Sequence, residues 1–240
     1  MNPAQFRDLV RDWLGLSLTP EQEERFFTFL DLLLQWNERM NLTAHRTPER
    51  VVVYHFLDSL SLVKALGPLE DFSLVDVGTG AGFPGLPLKL AFPSLQLTLV
   101  ESSTKIARFL EHVLDALHLS DVRLVVARAE RAARLPEHRE QYTLALARGV
   151  APMPILAEYL LPFVRVGGHA VAYKGPRAPQ EVWEARPAIE TLGGRLERIV
   201  PVDVPHLPAR RMLVLLAKVA PTPARFPRKP GIPAKRPLGP

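Results

Sequence analysis

The chain holds 240 residues, 47% of them apolar and 23% charged, with a net charge of +5, a composition typical of a soluble globular protein with room for one large domain or a core and an appendage. It has no cysteine, which excludes disulfides, thiolate zinc sites, iron–sulfur clusters and cysteine nucleophiles. No apolar run approaches the ~18 residues of a membrane span, and Met1–Leu14 carries charges where a secretory signal needs an apolar core, so the expected address is cytoplasmic and the Asn41-Leu42-Thr43 glycosylation match is inert.

Asn2-Pro3-Ala4-Gln5 opens a first helix with a capping residue, a proline at the first helical position and a glutamine three residues after the cap. Phe6, Leu9, Val10, Trp13 and Leu14 follow at helical spacing, and Gly15 ends the helix. Thr19-Pro20-Glu21-Gln22 repeats the start signal before a helix carrying Phe26, Phe27, Phe29, Leu30, Leu33, Leu34, Trp36 and Met40. That apolar face is too wide for an isolated surface helix. So many aromatic side chains also suit base stacking, but their continuous helical spacing favours core packing. A third start, Thr47-Pro48-Glu49, predicts a helix through Val53, Phe56, Leu57, Leu60 and Val63, closed by Gly67-Pro68. Residues 1–67 are thus expected to form an N-terminal helical region packed on the core of the protein.

From residue 72 the pattern alternates. Strands are predicted at 73–77, 95–101, 122–127, 142–147 and 169–174, with helices between them such as 104–118. Alternation of this kind argues for a parallel sheet with helices on both sides. A helix near 179–192 stops at Gly193-Gly194, and 195–204 and 210–219 read as two strands. Their short link permits an antiparallel hairpin and forbids a parallel crossover. The core, residues 68–219, is therefore expected to be a mostly parallel sheet with an antiparallel last strand. Residues 220–240 contain Arg225, Arg228, Lys229, Lys235 and Arg236 and no acid, so the tail carries +5 and the rest of the chain sums to zero. Such a tail either meets an anionic partner or is a solvated, disordered segment. Its seven prolines predict no further element.

The chain turns on Leu74-Val75-Asp76-Val77-Gly78-Thr79-Gly80-Ala81-Gly82-Phe83-Pro84-Gly85, an apolar run that ends in an acid and breaks into four glycines. It reads as a buried strand, a glycine turn and the start of a helix, Leu86–Phe92, with Pro84 and Pro87 tolerable only in the first turn. Gly80-Ala81-Gly82-Phe83-Pro84-Gly85 satisfies the dinucleotide fingerprint GxGxxG, a weak signal alone. Asp76 precedes the turn, where it can take a hydrogen bond or meet a cationic group. Glu101 ends the second strand, where a carboxylate can accept both hydroxyls of a ribose; the alternative is an exposed strand-end acid. NAD and S-adenosylmethionine (SAM) both present a ribose and adenine, but NAD also needs a pyrophosphate cradle. An acid before the turn and an antiparallel terminal hairpin favour SAM, as a family-level pattern.

Taken as a set, Met40-Asn41-Leu42-Thr43, His55-Phe56-Leu57-Asp58-Ser59-Leu60, the glycine turn Asp76–Gly85, Leu99-Val100-Glu101-Ser102, Arg148, Ala172-Tyr173-Lys174-Gly175 and Pro227-Arg228-Lys229-Pro230-Gly231 resemble the RsmG (GidB) family of 16S rRNA guanine-N7 methyltransferases over nearly the whole chain. The resemblance implies the class I SAM-dependent methyltransferase fold, Rossmann-like, with a seven-stranded sheet preceded by helices. It implies SAM as cofactor, with contacts from Gly78, Phe83, Glu101, Ala129, Glu130 and Arg148, and Asp76, Gly80, Gly82 and Ser102 lie in the same motifs. The substrate it implies is a guanine in the decoding region of 16S rRNA, met as free rRNA, small subunit or assembly intermediate. A monomer without metal or membrane contact is expected. One departure is visible: some relatives carry aspartate where this chain has Glu101, and both accept ribose hydroxyls.

Guanine N7 bears a lone pair and no proton, so no general base is expected and catalysis reduces to in-line placement and exclusion of water. Arg148 and Lys174, each at the carboxyl end of a strand, are placed near the site. Arg148 can meet the SAM carboxylate or the guanine O6–N7 edge, or form an ordinary ion pair. His55 and Asp58 share a helix face; a structural hydrogen bond is favoured over a proton relay. Arg128, Arg131 and Arg134 recur every three residues and, with the tail, are the candidate phosphate contacts; a solvated face is the alternative for the triplet. The competing functions are an NAD-dependent oxidoreductase and a non-catalytic RNA-binding assembly factor.

Overall fold

The glycine turn sits at the carboxyl edge of a seven-stranded sheet in the computed structural model, which describes residues 1–239. Pro240, the last residue of the predicted tail, lies outside the described residues. The strands are β1 (Ser73–Val77), β2 (Gln96–Glu101), β3 (Arg123–Val126), β4 (Tyr142–Arg148), β5 (Val164–Lys174), β6 (Gly194–Val202) and β7 (Arg211–Lys218), in the order β3-β2-β1-β4-β5-β7-β6. β7 runs antiparallel to both β5 and β6, and the remaining pairs are parallel. The hairpin expected from the short link is present, and its second strand is inserted beside β5. β5 starts earlier than its predicted position because a register shift between Tyr142 and Leu144 lets Val164 pair ahead of the regular ladder.

Side chains alternate across the sheet with the two-residue period of a strand. Leu74, Leu97, Leu99, Leu144, Leu146, Val171, Leu213 and Leu215 face one layer; Val75, Val77, Val100, Ala145, Ala147, Ala170, Ala172, Val214 and Leu216 face the other. The first layer is built from α1 (Pro3–Leu14), α2 (Pro20–Met40), α3 (Pro48–Val51), α4 (Asp58–Leu60), α5 (Val63–Leu66), α6 (Gly85–Ala91) and α7 (Thr104–Ala116). The second holds α8 (Ala129–Ala132), α9 (Met153–Leu160) and α10 (Ala178–Thr191).

Both N-terminal helices start as their sequences dictate. Asn2 and Thr19 each form a complete capping box with Gln5 and Gln22, and Gly15 closes α1 in the left-handed conformation. Their aromatic side chains build core, as the continuous spacing indicated. Phe6, Phe26, Phe29 and Phe56 are fully buried, with ring centroids 5.0 Å apart for Phe6–Phe26, 5.2 Å for Phe26–Phe56 and 5.7 Å for Phe29–Phe56. The single helix predicted from Thr47 to Gly67 is instead α3, a π-helical turn over Val52–Leu57, α4 and α5. Val51, Val52, Val53, Phe56, Leu57, Asp58, Ser59 and Leu60 are all buried. A segment buried on nearly every side has no amphipathic stripe to maintain, and the wider turn fits it.

The tail is ordered and packed, which removes the disordered alternative. Lys218, buried at the end of β7, donates to Leu161 O at 2.7 Å and pairs with Glu140 at 2.8 Å, while Thr222 N–H donates to Glu140 at 2.7 Å. Arg139 donates to the carbonyls of Thr222 (2.8 Å) and Phe226 (2.7 Å), and Arg134 to those of Arg225 (2.9 Å) and Pro227 (2.8 Å). Phe226 enters the second core layer. The expectation of no further element is also corrected: Ile232–Lys235 forms one turn, α11, because Pro233 falls in its first turn, where a missing N–H costs nothing.

Arg228 forks onto the fully buried Glu158 at 2.7 and 3.0 Å, and its N–H donates to the same carboxylate at 2.7 Å. Removing the guanidinium strands a buried charge. Arg228→Ala is therefore expected to cost about 3 kcal/mol, seen as a fall of roughly 10 °C in thermal melting.

Candidate functional site

The turn after β1 consumes its own donors. Gly78 N–H and Thr79 N–H donate to Val100 O at 2.8 and 3.2 Å, Gly82 and Phe83 N–H to Thr79 O at 3.1 and 2.9 Å, and Gly80 N–H to Glu101 Oε2 at 3.1 Å. Gly78 has φ +69°, and a Cβ there would sit 2.9 Å from Val150 Cγ2. At Gly85 the helix passes so close to β1 that a Cβ would meet Asp76 Oδ2 at 2.9 Å. With the amides of Gly78, Thr79, Gly80, Gly82 and Phe83 spent inside the protein and a carboxylate against it, the turn is a poor cradle for a pyrophosphate.

Asp76 is fully buried under the turn. Its Oδ2 accepts from Thr79 Oγ1 at 2.6 Å and from Gly85 N–H at 2.8 Å, while Oδ1 is buried without a partner among the described residues. Burial pushes its carboxyl up to about 6, against the pull of those two hydrogen bonds. Of the two roles expected for Asp76, it takes the hydrogen bond, holding the turn to α6 from beneath. Glu101 ends β2 as predicted, with Oε1 accepting Ser103 N–H at 2.7 Å. It too braces the turn.

Arg148 ends β4 and is turned into the helical layer. It donates to Tyr54 O at 3.0 Å, Asp58 Oδ2 at 2.8 Å and His55 Nδ1 at 2.8 Å. Asp58, fully buried, is also forked by Arg211 at 2.6 and 2.8 Å. With both terminal nitrogens engaged, Arg148 makes the ion pair with Asp58 that was the alternative expected for it. Phe83, likewise, packs inward. It lies between Phe29 (5.3 Å) and His55 (4.4 Å, 12° between planes), with the Arg148 guanidinium 5.2 Å above its ring. Because Arg148 donates to Nδ1, the His55 proton sits on Nε2 and donates to Thr43 Oγ1 at 2.7 Å. Thr43 is fixed in turn by Asn37, whose side chain exchanges two hydrogen bonds with its backbone at 2.9 and 3.0 Å. The Asn-Leu-Thr and His-x-x-Asp-Ser elements are thus one hydrogen-bonded bracket over the turn, and the structural role favoured for His55 and Asp58 is the one they fill.

The cleft itself lies at the carboxyl ends of β1, β2 and β3. Val77, Gly78, Val100, Ser102, Ala127, Arg128, Ala129, Glu130, Val150 and Tyr159 enclose about 80 Å³. Of the predicted cofactor residues, Gly78, Ser102, Ala129 and Glu130 line it; Gly80 and Glu101 adjoin it through their mutual hydrogen bond; Asp76, Gly82, Phe83 and Arg148 support it. Apolar walls from Val77, Val100, Ala127 and Val150 suit a flat ring, and α8 opens on the cleft at Ala129 with its first amides free of intrahelical partners. Val150 and Tyr159, which the sequence did not single out, follow the strand end and a helix face whose apolar pattern marks only burial. Glu130 carries a second duty, accepting Gly231 N–H at 2.8 Å and so tying the tail to the cleft wall.

Among the cations, Lys174 pairs with Glu181 at 2.6 Å and donates to Ala151 O at 2.8 Å. Arg228 is held by Glu158. Each is engaged in an internal ion pair with a buried or half-buried carboxylate. Arg134 leaves the basic triplet to anchor the tail. Arg128, Arg131, Arg225, Lys229, Lys235 and Arg236 stay exposed, and Arg128 lines the cleft.

Burial and the Arg148 charge hold His55 down at about 2, far below the usual imidazole. A His depressed on folding stabilises the fold above its unfolded value near 6.5 and loses that contribution as pH falls toward the folded value. Between pH 7 and 5 the protein should therefore lose about 2 kcal/mol of stability that a His55→Gln variant does not lose, as read from denaturant melts at both pH values.

Residues 22–209 match the family described as rRNA small subunit methyltransferase G. The protein named Ribosomal RNA small subunit methyltransferase G from Roseiflexus sp. (strain RS-1) is 49% identical, across 95% of this chain and 97% of its own length. The protein of the same name from Pelotomaculum thermopropionicum is 47% identical across 94% of each. Among solved structures, a SAM dependent methyltransferase from Aquifex aeolicus superposes with a TM-score of 0.53 at 18% identity, over 71% of this chain and 93% of that one. TrmN from Thermus thermophilus gives 0.51 at 18% identity, over 67% and 48%. These two share the fold, that of the class I SAM-dependent methyltransferases. From the family match and the identities of its relatives, the chain belongs to the rRNA small subunit methyltransferase G family.

Proposed function

We propose that this member of a SAM-dependent rRNA methyltransferase family transfers a methyl group to N7 of one guanine in the decoding region of 16S rRNA, acting as a cytoplasmic monomer on free rRNA, the small subunit or an assembly intermediate. The observation that carries it is the shared edge: the cleft through Gly78, Ser102, Ala129 and Glu130 opens beside the exposed Arg128, Arg131 and Lys229. A cofactor site and an anion-binding surface therefore meet where a target base has to arrive. Residues 68–219 are read as the catalytic unit, flanked by the helical region 1–67 and the tail.

When bound, SAM supplies an activated methyl group on a cationic sulfonium. The chain's own task is to hold and orient. Gly78 lets backbone approach, Glu101 would accept ribose hydroxyls beside Gly80, and Ala129, Glu130 and Ser102, which line the cleft, would border the adenine. The acid content of this edge, Glu101 and Glu130 above the buried Asp76, suits a cationic cofactor. Because N7 carries no proton, the residues need only align the acceptor with the methyl and exclude water.

Small-subunit rRNA incubated with the protein and labelled SAM should gain label as 7-methylguanosine. Label confined to a protein or small molecule would overturn the reading, and salt-sensitive RNA binding without any transfer would favour the assembly-factor alternative. Glu101→Gln, which keeps a carbonyl for Gly80 N–H but loses the charge, is expected to weaken SAM binding about tenfold, the scale of one charge-assisted hydrogen bond, by calorimetry.

A further inference from the structure

The carboxyl edge has a second rim, on the β4 side, formed by the segment between α2 and the π-helical turn. His45 stacks on Tyr54 with centroids 4.2 Å apart and 24° between planes, and the Arg50 guanidinium lies 6.0 Å from the Tyr54 centroid. This pair adjoins the site. The His45 ring is 5.2 Å from His55, which stacks on Phe83 of the glycine turn, and Tyr54 O accepts from Arg148. Burial and the charges of Arg50 and Arg148 hold His45 below the usual imidazole range, so the ring is neutral and suited to stacking. Both rings are half-buried.

Charge on this rim is uncompensated. Glu49 is the single acid between Asn41 and Tyr54, and the Met1 ammonium holds it at 3.1 Å. Arg46 is exposed and donates only to the neutral Asn41 side chain at 2.9 Å; Arg50 is exposed and has no carboxylate partner among the described residues. Two free guanidiniums beside stacked rings fit a polyanion that also carries flat bases. The fit is poorer for an acidic peptide, which has no use for the rings.

We infer that Arg46 and Arg50, with the His45–Tyr54 stack, form a second RNA contact surface, which grips unpaired substrate RNA on the side of the cleft opposite Arg128, Arg131 and Lys229. Strand order puts β3 and β4 three inter-strand spacings apart, roughly 14 Å. The two rims thus flank the cleft, and RNA held on both presents a base between them. Single-stranded or loop RNA is the class that offers unstacked bases to such rings. The inference rests on the reading of the chain as an rRNA methyltransferase.

The test uses the full chain and deproteinised small-subunit rRNA, with binding followed by fluorescence anisotropy across a salt series. The double variant Arg46→Gln/Arg50→Gln should lower the salt slope of binding by about 1.4, some 0.7 for each phosphate no longer neutralised, with SAM affinity unchanged. The double lysine variant should restore the slope. Tyr54→Leu should weaken RNA binding about tenfold with the slope retained. An unchanged slope in the double glutamine variant, alongside a reduced slope in Arg131→Gln/Lys229→Gln, would overturn the second surface and leave the methyltransferase reading intact. Wild-type protein without salt-dependent rRNA binding would overturn both.

Discussion

One buried carboxylate joins the parts of this molecule. Asp58 is fully buried and receives three hydrogen bonds, one from Arg148 at the end of β4 and two from Arg211 at the start of β7. Its partners lie 90 and 153 positions away in the chain. Ion pairs in such a place gain little net stability over apolar packing, because desolvation offsets the attraction. What they supply is register. A carboxylate with three fixed donors admits one placement of the helical layer against the strand ends, whereas the leucine and phenylalanine contacts around it would tolerate sliding by fractions of an ångström. Tyr173 adds a further tie, donating to Ser59 O at 2.7 Å.

From Asp58 the constraint passes outward through contacts that each have a direction. Arg148 fixes the His55 tautomer, His55 stacks on Phe83, and Phe83 belongs to the turn whose Gly80 is bonded to Glu101. The helical layer therefore acts on the cofactor side of the sheet without touching the cleft. This also explains why the turn looks unlike a phosphate cradle despite its glycines. Most of its amides face inward, onto Val100, Thr79, Asp76 and Glu101.

The parts of this architecture that were legible in the chain are those set by local chemistry. Caps at Asn2 and Thr19, the left-handed stop at Gly15, the strands flanking the turn and the antiparallel hairpin all follow from neighbours a few residues apart. Glu101 was legible because it ends a predicted strand, where an acid suits the hydroxyls of a ribose. Its hydrogen bonds to Gly80 and Ser103 were not. Asp76 shows the limit clearly: position announces an acid at the turn, but only packing decides that it points under Gly85. Arg211 was silent because its partner lies across the sheet, with no periodicity to mark it. The tail misled for a related reason. Its prolines and charges left an anion-binding arm and a disordered segment both open, yet Phe226, Thr222 and Arg228 find acceptors and apolar neighbours on surfaces far away in sequence.

The hydrogen bond from Gly231 to Glu130 spans 101 positions, and it has a consequence in time. A chain made from its amino end can assemble β1 to β4 and the turn while later residues are still being added. The wall that carries Glu130 is braced only after β5, the β6–β7 hairpin and the segment beyond them have been synthesised and docked. Contacts of such separation close late, after the loop between them has been ordered. The contact that braces this wall of the cleft is therefore among the last to close as the fold assembles.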